Sequence, residues 1–323
     1  MLCMILVSCT GQKTGKENDN NDKIAIEVGE IKFPPQDVLQ LKSYYLSSSV
    51  HVDSIDYLIG YNYRLHSLDC MNLKSKSVTQ IVLPGDGPDA IVRLSGIYAQ
   101  SLDSVWISDE SERAFLIDSV GTIKRMIDLK KYLEDQEQLL INTNYAMFTS
   151  HLFYNASRHS LMFLVKHTPS NTFIVKEAFI DEVGKMATYQ LSSSKVVPDM
   201  SKGYAYINFP NVNFVGENIV YNYPVESSIY MLDIRTNERK YILADSHYTS
   251  NIIEKCTTSG DYATLEKHWL ENSHFYDIMY LPKYKIYARL HADKVDFDEK
   301  KGMEKLINER DLYLMLFDEN MEK

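Results

Sequence analysis

The chain has 323 residues, of which 45% are hydrophobic and 24% are charged, a balance typical of a globular protein with a large core. The glycine count of 13 argues against a low-complexity or fibrous chain. The net charge of −10 and the lack of any Lys/Arg block exclude a nucleic-acid partner.

The N-terminus indicates a lipid anchor. Met1–Ser8 is apolar, and Leu6-Val7-Ser8-Cys9 resembles a bacterial lipobox, with Leu three residues before the cysteine and a small residue directly before it. The resemblance implies that residues 1–8 are the remnant of a signal peptide and that Cys9 carries lipid on its sulfur. A signal peptide normally has basic residues and a longer apolar region. A start codon further upstream and a short buried strand are therefore the alternatives.

The next segment predicts a tether. Residues 9–23 comprise Cys9 and the hydrophilic run Thr10–Lys23, which has no apolar periodicity and is typical of a flexible linker. No later run approaches the roughly 18 apolar residues that a membrane-spanning helix needs. The sequence thus predicts a protein held by its lipid at the cell envelope, on the periplasmic or surface face of the outer membrane.

Residues 24–323 predict an all-β domain. Ile24–Phe33 alternates apolar and polar residues, as a strand with one solvated face does. From about Ser49 onward one phrase recurs: an apolar run ends in Asp, a polar turn follows and a second strand-like run returns. The aspartates that anchor these copies are Asp69, Asp118, Asp181, Asp233 and Asp318. Such recurrence predicts a β-propeller of four-stranded antiparallel blades.

Five blades can be counted, and the fifth copy is cut short at the C-terminus. Either the Ile24–Phe33 strand completes that blade by pairing across the chain ends, or the chain is shortened. Three segments interrupt the strands and predict short helical inserts at Leu129–Leu140, Asp261–Glu271 and Val295–Arg310. Gly85-Asp86-Gly87-Pro88 predicts a sharp reversal between the first two blades.

The two cysteines of the domain, Cys70 and Cys256, predict separate buried thiols. An extracytoplasmic address also permits a disulfide between them. No C-x-x-C or H-E-x-x-H spacing occurs, so the sequence predicts no bound metal or other cofactor.

The repeats, the Gly85–Pro88 reversal and the lipobox with its tether together resemble the six-bladed β-propeller lipoproteins of Bacteroidota. Many of these are grouped as a domain of unknown function, and their fold is related to TolB-like propellers. The segments Phe214–Pro224 and Ser246–Asn251 are similar to stretches of that group. The resemblance implies six blades, one more than can be counted, and it implies no particular activity.

Two segments echo each other and form the candidate ligand site. Tyr61-Asn62-Tyr63 and Tyr221-Asn222-Tyr223 each end a strand that precedes an Asp-anchored one. If these hairpins share one face of the propeller, their rings and amides could form a rim that binds a sugar or a peptide. The alternative is that the tyrosines brace neighbouring blades. Asp109 and Arg113, at the hairpin of the second blade, are added as ligand-binding candidates, with an ordinary charged turn as the alternative.

The sequence therefore predicts a membrane-anchored binding or scaffold module whose partner is a glycan, a peptide or an envelope protein. No nucleophile motif such as G-x-S-x-G occurs, so no catalytic residue is assigned. The alternative is a hydrolase or lactonase-like enzyme with a central Ca²⁺, because such ligands come from different blades and one sequence cannot reveal them. A subunit docked into a larger envelope complex is a third possibility.

Overall fold

The computed structural model describes residues 29–34, 44–141, 151–195, 209–256 and 262–322. The predicted signal peptide, the Cys9 lipidation site and the tether lie outside these ranges. So do residues 24–28 of the predicted first strand. Its described part, residues 29–33, lies in no strand, so this part of the prediction is wrong.

The first two blades are four-stranded antiparallel sheets in chain order. The first contains β1 (Ser47–Val52), β2 (Ile55–Asn62), β3 (Ser67–Asn72) and β4 (Val78–Val82). The second contains β5 (Leu94–Ser101), β6 (Ser104–Asp109), β7 (Arg113–Ile117) and β8 (Ile123–Asp128).

The later blades vary this plan. A short strand, β9 (Glu137–Leu139), pairs with β11 of the third blade, which contains β10 (Phe153–Asn155), β11 (Ser160–His167), β12 (Thr172–Phe179) and β13 (Met186–Gln190). The fourth contains β14 (Asn211–Val215), β15 (Asn218–Asn222), β16 (Ile229–Asp233) and β17 (Arg239–Ile242). The fifth has three strands in the described residues: β18 (His274–Leu281), β19 (Ile286–Ala292) and β20 (Leu312–Phe317).

The predicted all-β propeller is confirmed. Apolar clusters fill the junctions between consecutive blades, because both faces of each blade are largely apolar and each needs a neighbour to cover it. Phe115 belongs to the cluster between blades one and two, Phe163 to the next, Ile219 to the third and Phe317 to the fourth. The described residues form five blades, as counted in the sequence, and do not reach the six that the resemblance implied.

The repeated aspartate binds the backbone of the following turn in three of its five copies. The side chains of Asp118, Asp233 and Asp318 each accept two backbone N–H groups of the turn that follows, which stabilises the hairpin. In the first blade this role belongs to Asn72, which accepts from Lys74 N and Ser75 N, because β3 continues three residues beyond Asp69.

Asp181 departs from the repeat in another way. Its exposed carboxylate accepts a hydrogen bond from Arg125 Nη1 of the second blade at 2.9 Å. The aspartate phrase therefore locates the blades correctly, although it does not assign one role to the aspartate.

Two of the three predicted helical inserts are confirmed as α1 (Tyr262–Leu270) and α2 (Met303–Asn308). Leu265 and Trp269 of α1 are both buried, as their spacing predicts. The insert predicted at Leu129–Leu140 forms only a 3₁₀ turn at Leu129–Tyr132 before β9 begins. Strand pairing with β11 overrides the helical periodicity there.

The cysteines agree with the first of the two alternatives, since Cys70 and Cys256 are both buried and are not joined to each other. Burial, with a smaller contribution from the charge of Asp69, raises the pKa of Cys70 to about 11. Within the described ranges, the helices are too short or too polar to cross a bilayer.

Strand β12 of the third blade carries two successive buried charged residues, Lys176 and Glu177, whose side chains point to opposite faces of the blade. Lys176 Nζ lies 2.5 Å from Glu137 Oε2 and donates to the Tyr132 carbonyl at 2.8 Å, which fastens the insert onto the blade. Glu177 accepts two hydrogen bonds from Arg158 and one each from Ser160 and Tyr189. Both charges are fully buried, so each depends on its partners.

Candidate functional site

The predicted site residues all lie near hairpins between the second and third strands of their blades. Because consecutive strands of every blade are antiparallel, these hairpins lie on one face of the propeller, together with the linkers that join the blades. We call it the linker face. Tyr63 lies in the β2–β3 hairpin, Asp109 and Arg113 border the β6–β7 hairpin, and Tyr223 begins the β15–β16 hairpin.

The two Tyr-Asn-Tyr segments face opposite neighbours. Tyr61 packs in the apolar cluster between blades one and two, whereas Tyr221 packs in the cluster between blades three and four. Asn222 faces the fifth blade and donates to the Phe275 carbonyl at 3.4 Å. Successive side chains of a strand point to opposite faces of the blade. A shift of one residue between the two strands therefore turns the tyrosine of one segment to the opposite face from the tyrosine of the other. The echo in sequence is therefore not an echo in structure.

The fourth-blade copy acts as an internal brace. Tyr221 and Tyr223 are only 2% and 1% exposed. The Tyr221 hydroxyl accepts from Ser192 N at 2.9 Å, and the Tyr223 hydroxyl donates to the Ser192 carbonyl at 2.8 Å. The chain's own linker between blades three and four thus occupies both hydroxyls, and these rings are closed to a ligand.

The first-blade copy borders an open depression on the linker face. The depression has a volume of about 720 Å³ and lies between the β2–β3 hairpin and the linker from β4 to β5. Its lining residues are Tyr61, Tyr63, His66, Gly85, Asp86, Ile91, Val92 and Arg93. We call this depression the aromatic cradle. Tyr63 is half exposed, whereas Asn62 is fully buried and holds the hairpin through its side chain.

The rings of the cradle meet edge to face. Tyr61 is nearly perpendicular both to Tyr45, at 6.1 Å, and to His66, at 6.0 Å between ring centroids. Burial raises the pKa of Tyr61, so its hydroxyl stays protonated, and it lies 3.0 Å from His66 Nδ1. His66 Nε2 is buried and has no hydrogen-bond partner among the described residues. The Arg93 guanidinium lies over the Tyr45 ring at 5.8 Å.

Asp109 and Arg113 support the cradle from behind. The Asp109 carboxylate accepts from Val92 N at 3.3 Å and from Arg113 Nη2 at 2.7 Å, and Arg113 Nη2 also donates to the Ala90 carbonyl at 2.8 Å. Asp109 is fully buried, so its two oxygens are committed to these contacts and to the backbone of its own hairpin. The pair therefore fixes the linker segment that carries Val92 and Arg93.

Five of the eight predicted ligand-binding residues thus surround or support the cradle, and three form the brace in the fourth blade. Sequence reasoning missed Tyr45, His66 and Arg93. His66 and Arg93 come from a hairpin and a linker, where no periodic pattern marks a residue. The GDGP reversal that positions the linker was the only available signal.

A second depression of about 650 Å³ lies beside α1 and is lined mainly by polar side chains of both charge signs, among them Lys255, Lys267, His268 and Asp293. Its acids and bases largely engage one another or nearby backbone, as His268 does with the Glu254 carbonyl. Among the described residues, no three His, Cys, Asp or Glu side chains are grouped closely enough to hold a metal ion.

Comparison with known proteins supports the fold. A crystal structure of a DUF4221 family member from Bacteroides vulgatus is similar to this chain with a TM-score of 0.68 and 12% identity. That similarity covers 87% of this chain and 80% of the other. A putative TolB from Agrobacterium tumefaciens has a TM-score of 0.42 and 13% identity over 86% of this chain and 78% of its own. A search of curated proteins found no match.

A family model described as a domain of unknown function, DUF4221, matches residues 17–323. The match spans nearly the whole chain and agrees with the resemblance drawn from the repeats. The chain therefore belongs to the DUF4221 family.

Proposed function

We propose that the protein is a non-enzymatic binding module of the cell envelope that receives its ligand at the aromatic cradle. The observation that carries the proposal is the combination of an open depression with a rigid frame. Tyr63 and Arg93 expose about half of their side chains, and the Asp109–Arg113 pair fixes the linker that carries Arg93. Preorganised contact residues lose little entropy on binding, which favours affinity.

The residue types around the cradle support recognition rather than turnover. Tyrosine and arginine dominate the energetics of protein binding sites, because they combine a large contact area with directed hydrogen bonds. The polar groups present are those of Tyr61, Tyr63, His66, Asp86 and Arg93. Arg93 already pairs with Glu110 at 3.5 Å, and Tyr61 with His66, an arrangement that orients donors without activating a nucleophile.

The test is to incubate the purified protein with panels of glycans and peptides. We expect at least one ligand to be retained without chemical change, and retention to decrease when Tyr63 is replaced by Ala. Chemical turnover of any ligand by the wild-type protein would contradict the proposal. One tightly held Ca²⁺ per chain after purification without chelator would favour the lactonase-like alternative instead.

We propose in addition that lipid on Cys9 tethers the module to a membrane, which rests on the lipobox resemblance and the polar segment after it. Replacing Cys9 by Ala removes the only sulfur at the predicted lipidation position. We therefore expect Cys9→Ala to abolish incorporation of labelled palmitate and to move the protein from the membrane pellet to the soluble or unprocessed fraction.

Cys3→Ala is the matched control, because Cys3 precedes the predicted cleavage site. It should be labelled and pelleted like the wild-type protein. A Cys9→Ala variant that still incorporates palmitate would show that the lipobox assignment is wrong.

A further inference from the structure

The surface around the cradle is unusually apolar. Among the described residues, thirteen large apolar side chains are exposed, and four of them lie on the β2–β3 hairpin, at the end of β4 or on the linker that follows it: Tyr63, Leu65, Val82 and Val92. A backbone hydrogen bond from Leu83 N to the His66 carbonyl holds hairpin and linker side by side. A local concentration of exposed apolar residues marks a surface that a protein segment covers.

The shape of the cradle selects a side chain rather than a flat sugar ring. A pyranose stacks on an open aromatic face, whereas the two inner rings of the lining, Tyr61 and His66, stand at 80° to each other, and only Tyr63 at the rim is half exposed. Tyr61 is also buried, so its ring forms a wall and not a platform. Perpendicular walls with an apolar rim form a socket that one aliphatic or aromatic side chain can fill.

The charged residues at the socket indicate which charged group the ligand carries next to its apolar side chain. Arg93 and Glu110 form an ion pair at 3.5 Å in which both side chains are about half exposed. Water screens such exposed pairs and leaves them weak, so an incoming carboxylate can displace Glu110 at little cost. His66 Nε2 adds a buried polar atom without a partner. Asp86, on the lining, disfavours a second acidic group nearby.

Resting on the proposed function, we infer that the ligand of the cradle is a peptide segment of a partner protein that presents an apolar side chain next to a single Asp or Glu. The apolar side chain fills the socket between Tyr63 and Val92. The carboxylate pairs with Arg93 in place of Glu110.

The test is selection of a phage-displayed library of random peptides on the purified full chain, with a Tyr63→Ala variant for counter-selection. We expect the enriched peptides to share an apolar residue beside one acid. For a synthetic consensus peptide, Tyr63→Ala and Arg93→Ala should each raise the Kd roughly tenfold or more. Tyr248→Ala, which truncates another exposed tyrosine far along the chain, is the matched control and should leave the Kd unchanged.

Exchanging the charges of Arg93 and of the peptide acid distinguishes a binding role of Arg93 from a structural one. Arg93→Glu should lose the consensus peptide, and it should bind a peptide in which the acid is replaced by Lys. Enriched peptides that bind Tyr63→Ala as tightly as the wild-type protein would overturn the inference, as would a failure of the exchange. Binding of a glycan that Tyr63→Ala abolishes would overturn the peptide assignment alone, whereas turnover would contradict the proposed function itself.

Discussion

Replacing Lys176 by Met should lower the free energy of unfolding by about 3–5 kcal/mol, the cost of breaking a buried ion pair and leaving one charge uncompensated. Lys176 is fully buried, and its partner Glu137 is only 3% exposed. Met fills the volume of the Lys stem but cannot neutralise Glu137 or bond to the Tyr132 carbonyl. Urea unfolding of both proteins, followed by circular dichroism, measures the difference.

Lys185→Met provides the matched control, because Lys185 pairs with Glu182 on the surface of the same blade. An exposed pair of this kind contributes about 0–1 kcal/mol. Adding Glu137→Gln to the Lys176 variant removes the uncompensated charge and should recover part of the loss. If Lys176→Met costs no more than Lys185→Met, the insert is not fastened to the third blade as described.

The second large effect is a pH dependence that originates at His274. This imidazole is buried at the start of β18, and its Nδ1 accepts a hydrogen bond from Trp269 Nε1 at 3.1 Å. Burial, assisted by the charge of Arg310, lowers the pKa of His274 to about 3 from an ordinary value of 6.5. The folded protein therefore holds this group neutral at pH values where the unfolded chain protonates it.

Between these two pKa values only the unfolded state binds the extra proton. The contribution of His274 to the free energy of unfolding is therefore fully present above about pH 6.5 and decreases as the pH falls below it. Each pH unit can cost up to about 1.4 kcal/mol, which gives roughly 2.7 kcal/mol over two units. We expect the free energy of unfolding of His274→Asn to depend less steeply on pH in this interval than that of the wild-type protein, whatever its value at neutral pH.

His247→Asn, which replaces an exposed imidazole, should leave the pH dependence unchanged. Urea titrations at several pH values between about 4.5 and 7 give the slopes directly. If His274→Asn and the wild-type protein have equal slopes, His274 is already protonated in the folded state and its burial is not as described.

The architecture could be predicted from the sequence because propeller blades repeat a local pattern. Asp118 and Gly121 show why: the aspartate side chain accepts the turn's N–H groups, and Gly121 adopts a φ of +85° and approaches the Val82 carbonyl of the first blade so closely that a Cβ would not fit. Such turns depend on a few adjacent residues, so the sequence shows them. Predictions that needed only local information, such as α1 and the separate thiols, were confirmed.

The site could be predicted only in part, because its geometry depends on which side of a blade each residue faces. Tyr61 and Tyr221 are both followed by Asn-Tyr in the sequence, but Tyr61 contributes to the cradle, whereas the hydroxyl of Tyr221 is occupied by Ser192. Asp69 could not be distinguished from the turn aspartates, although it is a buried acceptor for Tyr44, Asn62 and Gln80. Strand phase and long-range partners decide both cases, and neither is a local property.

The central claim is that ligand recognition occurs at the aromatic cradle. Hydrogen–deuterium exchange of the protein with and without the library-selected peptide tests it most directly, because amides that the ligand covers or orders exchange more slowly. The account predicts slower exchange in the β2–β3 hairpin and in the linker from β4 to β5, with no change at the Tyr221–Tyr223 brace. Protection confined to other blades, or no protection anywhere at a saturating peptide concentration, would contradict it.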